Sequence, residues 1–138
     1  MSSCRVQRVN GSLVEAGPAA AVALYELAHV GTAKLLGEVI GVSGDVATLQ
    51  VYEDTNGLAV GEPVTASGDT LQAELGPGLL GSILDGLGRP LEVLAAHDGP
   101  FVPPGRELRM LDTARRWRFV PSRAAGAPVR GGDILGAV

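Results

Sequence analysis

One stretch of the chain, residues 76–81, has the glycine spacing of a dinucleotide-binding loop and reads G-P-G-L-L-G. Glycines at that spacing bind a pyrophosphate only where a strand leads into a full helix whose N-terminus faces the ligand. Here Pro77 removes one backbone N–H, and Gly86 interrupts the segment that follows. We therefore interpret the stretch as a tight turn that leads out of the preceding domain.

The remaining residues with chemical potential do not form a recognisable site. A phosphate-binding P-loop needs glycines before a lysine and a hydroxyl after it, but the only lysine, Lys34, is followed by Leu35. Cys4, His29 and His97 are far apart in the sequence, and no nucleophile signature surrounds them. A single cysteine also excludes a disulfide framework. The sequence therefore predicts no catalytic, cofactor-binding or metal-ligating residue.

Two charged groups have both a functional and a structural interpretation. Glu53 and Asp54 form a carboxylate pair, but Asn56-Gly57 follows them, so they are interpreted as a solvated turn. Trp117 lies among three arginines and could take part in a cation–π contact at an interface. The favoured interpretation is a packed strand residue.

Composition indicates a folded chain of limited size. The 138 residues are 46% hydrophobic and 19% charged, which suits one domain or one domain with part of another. Aromatic residues are only 4%, and the arginines are scattered, so the sequence does not predict nucleic-acid binding. No apolar run reaches the roughly 18 residues of a membrane span, and residues 1–8 are too polar for a secretory signal.

The charge distribution changes sharply along the chain. Residues 1–100 carry four basic and twelve acidic groups, whereas residues 101–138 carry seven arginines and three acidic groups. The change coincides with a proline- and glycine-rich stretch at residues 98–105. A boundary between two units is therefore expected near residues 97–105.

Short apolar runs separated by turn residues predict an all-β fold at the start of the chain. The predicted strands cover residues 6–9, 12–14, 24–30, 35–42, 46–52, 61–64 and 71–75. Asn10-Gly11 predicts a type I′ hairpin, and Ala47, Leu49 and Val51 should share one buried face. Strands this short and evenly spaced are typical of a small closed β-barrel, which leaves no unpaired edge.

The pattern changes after the predicted barrel. Leucines and one isoleucine at residues 79–87 could form one or two turns of helix, which Gly88 and Pro90 would end. Beyond residue 105, strand pieces are predicted at 117–120, 128–129 and 134–138. Because the last apolar run has no stop signal, the chain is expected to be a piece of a longer protein.

Several sequence runs together resemble a known family. They are L-L-G-E-V-I at 35–40, L-Q-V-Y-E-D-T-N-G-L at 49–58 with G-E-P-V at 61–64, and E-L-G-P-G-L-L at 74–80 with D-G at 85–86 and R-P-L at 89–91. In this order and spacing they resemble the N-terminal part of the catalytic alpha chain, or A subunit, of V/A-type rotary ATPases and ATP synthases. Residues 117–121 and 131–136 resemble the start of its inserted bulge region, so the resemblance covers nearly the whole chain.

The resemblance implies a domain organisation. Residues 1–75 would be the closed six-stranded N-terminal β-barrel, or crown, domain, and residues 76–104 a connector with a short helix or turn. Residues 105–138 would begin a partial, β-rich bulge region. Two departures from the family are the alanine-rich stretch at residues 19–24 and Leu87-Gly88 within the D-G-x-x-R-P run.

The resemblance also implies a role and partners. In the full-length alpha chain, ATP and Mg²⁺ bind at a P-loop further along, and the reaction drives or uses proton or sodium movement. Three A and three B subunits form a ring with rotor and stator subunits, in a cytoplasmic complex peripheral to the membrane. This chain lacks the P-loop, so the resemblance implies a structural domain with no cofactor, no activity alone and no direct membrane insertion.

Two other interpretations of the sequence differ in class. The chain could be a free-standing assembly or regulatory module that docks on the ATPase head. Residues 131–138 could alternatively belong to a lipoyl or biotinyl carrier domain. That class needs an acceptor lysine, and the chain has no lysine beyond residue 34.

Overall fold

Six antiparallel strands make up the first half of the chain in the computed structural model, which describes residues 4–138. They are β1 (Arg5–Asn10), β2 (Leu13–Gly17), β3 (Glu26–Val30), β4 (Leu35–Ser43), β5 (Val46–Val51) and β6 (Val64–Thr70). Neighbours follow the order β1-β2-β5-β4-β3-β6, so β1 and β6 are the outer strands. Each pairing is antiparallel, which suits the short connections between them.

Backbone hydrogen bonds join β1 to the segment that leads into β6. The Val6 N–H donates to the Glu62 carbonyl oxygen at 2.9 Å, and the Gly61 N–H donates to the Val6 carbonyl oxygen at 2.7 Å. The Val64 N–H donates to the Cys4 carbonyl oxygen at 2.9 Å. Since both outer strands are paired at this seam, the sheet closes on itself. The predicted all-β, closed six-stranded barrel is confirmed.

An aliphatic core fills the barrel. Its thirteen buried residues all lie between residues 4 and 64. Leu49, one of two leucines among them, is fully buried, with Ala47 and Val51 buried on the same face of β5. Gln50, between them, is exposed. The alternation predicted for this strand is confirmed, and the barrel core is complete without any residue after position 64.

The first hairpin forms where the sequence predicted it, but its turn is shifted by one residue. Asn10 pairs with Leu13, so the two loop residues are Gly11 and Ser12. Gly11 has a positive φ of 59°, and Ser12 does not have a positive φ. This is the pattern of a type II′ turn, in which glycine takes the first loop position. The type I′ turn predicted at Asn10-Gly11 was wrong.

The strand predicted at residues 71–75 is absent; these residues are exposed and outside regular structure. β6 fills the sixth place in the barrel with residues Val64–Thr70 and pairs with β3. The seam with β1 already closes the sheet at residues 4–6 and 61–64, so residues 71–75 are not needed as a further strand. Closure of the barrel explains why this prediction was wrong.

The helix lies later than predicted. Residues Pro77–Leu79 form a single 3-10 turn, and α1 spans Leu91–Asp98. Pro90 directly precedes α1, where a proline costs no helical hydrogen bond, and Gly99 ends it with a φ of 71°. Pro90 therefore marks a helix start and not the helix end that the sequence suggested. Within residues 4–138, no helix combines the length and hydrophobicity that crossing a bilayer requires.

The last part of the chain contains one small strand pair. β7 (Val120–Pro121) pairs with β8 (Gly136–Ala137), whereas residues 128–129 lie outside any strand. Trp117 also lies outside β7 and is 42% exposed. The guanidinium carbon of Arg115 is 4.3 Å from the centre of its ring. The packed-strand interpretation of Trp117 was wrong, and the cation–π alternative describes its contact.

Candidate functional site

Glu53 lies at the end of the barrel and is the centre of its most connected polar cluster. It follows β5, and its side chain is only 9% exposed. Its carboxylate accepts hydrogen bonds from the Leu36 N–H at 3.0 Å and from the Gly105 N–H at 3.1 Å. Asp54, the next residue, is exposed and instead accepts from Asn56. The solvated-turn interpretation was therefore wrong for Glu53, which joins two strands to a distant segment.

Arg89 completes the cluster from the connector. Its Nη1 donates to Glu53 Oε1 at 3.1 Å, and its Nε donates to Asp85 Oδ2 at 2.7 Å. Nη1 also donates to the Arg106 carbonyl oxygen at 3.2 Å. The planar guanidinium can serve these three acceptors together because its N–H groups point in fixed, different directions. We refer to Glu53, Asp85 and Arg89 as the clasp.

A tight turn at residues 85–89 presents Asp85 and Arg89 to each other. Asp85 Oδ1 accepts from the Leu87 N–H and the Arg89 N–H, both at 2.9 Å. Burial would raise the pKa of the Asp85 carboxyl, but hydrogen bonds from the Arg89 amide and side chain and from the Leu87 amide, with the Arg89 charge, outweigh it. The pKa of Asp85 therefore lies below its ordinary value, and this carboxylate is charged at neutral pH.

We expect the clasp to weaken only in acid. Because the pKa of Asp85 is lowered in the folded state, its contribution to stability is present above the unfolded pKa and is lost as the pH falls through the folded pKa. In a pH titration followed by NMR, the Leu87 amide should shift with a midpoint below the ordinary aspartate value of 3.8. In Arg89→Ala, the side-chain hydrogen bond and the charge of the arginine no longer lower the pKa of Asp85, and the midpoint should rise. A midpoint unchanged by that substitution would contradict the proposed cause.

Residues 101–109, which we call the strap, cross the end of the barrel beside the clasp. Gly105 makes the closest approach, with a positive φ of 69°. A Cβ at this position would lie 1.8 Å from the Ala33 carbonyl oxygen in the β3–β4 turn. Both the backbone conformation and the lack of space require glycine here.

Gly105→Ala is therefore expected to lift the strap from the barrel. A non-glycine residue at positive φ costs of order 1–3 kcal/mol, and the strap can relieve the clash only by moving away from Ala33. Hydrogen exchange of the Gly105 and Leu36 amides, which both donate to Glu53, should accelerate. Gly126→Ala is the matched control, because Gly126 also has a positive φ but nothing within 4 Å of its Cβ position. The control should leave both amides unchanged, and equal acceleration in the two variants would contradict this assignment.

Two further side-chain contacts hold the strap at the residues that follow Gly105. Arg106 is hydrogen-bonded to Asp98 at the end of α1, and this bond lowers the pKa of the Asp98 carboxyl. Glu107 Oε1 lies 3.3 Å from His29 Nδ1 on β3. That nitrogen is buried and forms no hydrogen bond with the described residues. The strap is therefore contacted by side chains from β3, from the connector and from α1.

A cleft of about 420 Å³ separates the strap from the barrel. His29 and Leu36 line it on the barrel side, and residues 105–109 line it on the other. Its three arginines, Arg89, Arg106 and Arg109, are already bonded to the carboxylates of Asp85, Asp98 and Glu74. A ligand would have to displace one of these bonds, so we treat the cleft as part of the clasp.

The structure does not bring the potentially reactive residues together. Cys4 is buried in the barrel core, and burial raises the pKa of its thiol. His29 faces the strap, and His97 lies in the last turn of α1. Among residues 4–138, no three His, Cys, Asp or Glu side chains form a group that could hold a metal ion. The polar contacts of this region therefore join segments of the chain to one another.

The described residues do not fit a nucleotide. The glycine-spaced stretch contains only the three-residue turn Pro77–Leu79, with no strand leading into it. Lys34 lies in the β3–β4 turn, far along the chain from that stretch. The phosphate-binding combination of loop, helix N-terminus and lysine is therefore not assembled by residues 4–138.

Sequence reasoning missed the clasp because Glu53 is more than thirty residues away from Asp85 and Arg89, as the Arg89–Glu53 bond shows. One signal was available. Arg89 is the only arginine between Arg8 and Arg106, within a strongly acidic part of the chain. An isolated arginine there is expected to have an acidic partner, although the sequence does not identify which one.

Comparison with known proteins places these features in a family context. Residues 6–68, which contain most of the barrel, match the family described as the ATP synthase alpha/beta family, β-barrel domain. The chain is 54% identical over 129 residues to the V-type ATP synthase alpha chain of Anaeromyxobacter dehalogenans, covering 94% of this chain. It is 45% identical over 135 residues to the catalytic A subunit of the V-type proton ATPase of Neurospora crassa, covering 97%.

The chain spans less than a quarter of the length of these relatives: 22% of each of the two proteins. A solved structure, that of the assembled ATPase EscN in complex with its central stalk EscO from the enteropathogenic E. coli type III secretion system, is also similar. It matches with a TM-score of 0.56 and 26% identity over 63% of this chain and 21% of that chain. The similarity is thus to the barrel-containing part of much longer ATPase subunits.

Proposed function

We propose that the chain is the N-terminal structural and assembly domain of a V/A-type catalytic alpha chain, because residues 6–68 match the β-barrel domain of the ATP synthase alpha/beta family and nearly the whole chain is similar to V-type alpha chains. The observation that carries the proposal is the closed barrel at residues 4–70, together with sequence similarity that covers nearly the whole chain. A closed barrel has no free strand edge and a fixed diameter, which suits a part that sets the distance between neighbouring subunits.

We propose that the barrel makes lateral contacts with the barrels of neighbouring B subunits in a six-membered ring. Apolar side chains on its outer wall support this contact: Ile40 and Val42 on β4 are 42% and 48% exposed. Tyr25, which precedes β3, is 60% exposed and is an exposed aromatic side chain of the barrel domain. Apolar and aromatic groups are enriched in the buried centres of protein interfaces.

The reaction itself belongs, in this proposal, to parts of the full-length protein outside this chain. ATP with Mg²⁺ would bind there, and hydrolysis or synthesis would be coupled to proton or sodium movement by rotor and stator subunits. The complex would be cytoplasmic and peripheral to the membrane. The chain alone would bind neither ATP nor Mg²⁺ and would serve as a mechanical spacer.

Competition during ring assembly tests this function. Excess chain, added to separated A and B subunits of a V/A-type head, should occupy the lateral face of B subunits and reduce the yield of complete rings. Val42→Asp should abolish this effect, because a charge on the outer wall opposes burial. Val129→Asp is the matched control, since Val129 is 52% exposed but lies outside the barrel. Binding to preformed rings without loss of ring yield would instead identify a separate docking module and contradict the proposal.

A further inference from the structure

The strap has few apolar contacts to hold it in place. Phe101 is 84% exposed, and Val102 is 43% exposed. The strap contains no strand or helix, so its backbone is not held by a ladder of hydrogen bonds. Its position therefore depends on a small set of polar contacts with the barrel, the connector and α1.

Glu53 is the common member of those polar contacts. Its carboxylate accepts directly from the strap through the Gly105 N–H, which lies 3.2 and 3.1 Å from its two oxygens. It also orients Arg89, whose Nη1 donates to the strap carbonyl of Arg106 at 3.2 Å. Neutralising this one carboxylate would therefore weaken the direct contact and the contact made through Arg89.

The barrel does not depend on the strap for its core. All thirteen core residues lie between residues 4 and 64, and the seam that closes the barrel uses residues 4–6 and 61–64. The strap contributes to neither. Loss of the strap contacts therefore removes no buried apolar area from the barrel core.

We infer that residues 101–109 form a latched strap, which Glu53 holds against the end of the barrel and which detaches as a unit while the barrel remains folded. In the latched state, the segment that follows the strap leaves the barrel in a fixed direction. In the released state, the direction of that segment is not fixed. Detachment of the strap is a property of this chain alone and goes beyond the proposed function. It does not depend on any contact with B subunits.

Limited trypsin digestion of the full chain tests the latch. In Glu53→Gln, cleavage after Arg106 and Arg109 should be roughly tenfold faster or more, because hydrogen bonds to a charged group are lost and the strap opens more often. Asp54→Asn is the matched control, since Asp54 is the exposed neighbour, and its cleavage rates should be those of the unaltered chain. Cleavage after the exposed Arg123 should be the same in all three proteins and provides an internal reference.

A second measurement needs no substitution. In hydrogen exchange of the unaltered chain, the free energy of opening at the Gly105 amide should depend little on urea. The Leu49 amide in β5 should open only when the barrel unfolds, so its free energy of opening should depend strongly on urea. Equal opening energies and equal urea dependence at the two amides would overturn the inference, because the strap would then be part of the barrel's folding unit. Unchanged cleavage after Arg106 and Arg109 in Glu53→Gln would also overturn it.

Discussion

Replacing Arg89 by alanine is expected to detach the connector and the strap from the barrel. The substitution leaves the Glu53 and Asp85 carboxylates, 9% and 21% exposed, without their charged partner. Removing one member of a buried ion pair typically costs about 3–5 kcal/mol. We expect the free energy of opening at the Leu87 amide, measured by hydrogen exchange, to fall by about that amount, because both carboxylates regain water once the connector opens. If the free energy of opening in the unaltered chain is smaller than this cost, it should fall to zero.

The control for this experiment is Arg8→Ala. Arg8 also pairs with a glutamate, Glu15, at 3.4 Å, but the two side chains are 64% and 40% exposed. An exposed pair contributes at most about 1 kcal/mol, so the free energy of opening at the Leu87 amide in this variant should be close to that of the unaltered chain. Arg89→Lys should be intermediate, since lysine keeps the charge and loses the fixed fork that serves Asp85 and Glu53 together. Equal losses in Arg89→Ala and Arg8→Ala would show that burial of the clasp has no energetic role.

Leu49→Ala is expected to destabilise the barrel as a whole. Leu49 is fully buried and is the largest fully buried side chain of the barrel core. Truncating a buried leucine costs about 2–5 kcal/mol, since the lost contacts leave a cavity that the closed barrel can fill only partly. In urea unfolding, the midpoint should fall while the slope of the free energy against urea stays the same.

The matched control is Leu13→Ala in β2, where the leucine is 41% exposed and lies outside the core. We expect a loss of less than about 1 kcal/mol for this change. Similar midpoints for the two variants would contradict the placement of Leu49 at the centre of the barrel. Opening of the Gly105 amide should be unaffected by either substitution, because the strap does not use the core.

The barrel was largely predictable from the sequence because its strands are short and are bounded by turn residues. The alternation of Ala47, Leu49 and Val51 in β5 indicated directly which face is buried. Closure was predictable from the number and spacing of the strands. The turn of the first hairpin was less predictable, since its position at Gly11 and Ser12 depends on which residues pair across the two strands.

Features that depend on distant contacts could not be predicted in the same way. The extra strand at residues 71–75 was a reasonable prediction from local pattern, and only closure of the barrel removes its partner. Pro90 is compatible with either end of a helix, and the leucines before it favoured the wrong one. Glu53 looked like a turn residue because nothing local shows that Arg89 and Gly105 fold back onto it.

Two kinds of interaction therefore hold different parts of the chain. Burial of aliphatic side chains stabilises the barrel, which contains no buried charged residue among the positions described. Arginine–carboxylate pairs hold the connector and the strap, and Asp85, Asp98 and Glu74 all have a lowered pKa because arginines donate to them. A part that sets spacing benefits from this division, because the segment after it can move while the barrel keeps its dimensions.

The most direct test of the central claim is sedimentation of the chain mixed with the B subunit of a V/A-type ATPase, with and without Mg-ATP. If the chain is a lateral spacer, it should sediment together with the B subunit to the same extent in both conditions. The Val42→Asp variant should sediment alone. Association that requires nucleotide, or saturable binding of Mg-ATP to the chain by itself, would contradict the claim.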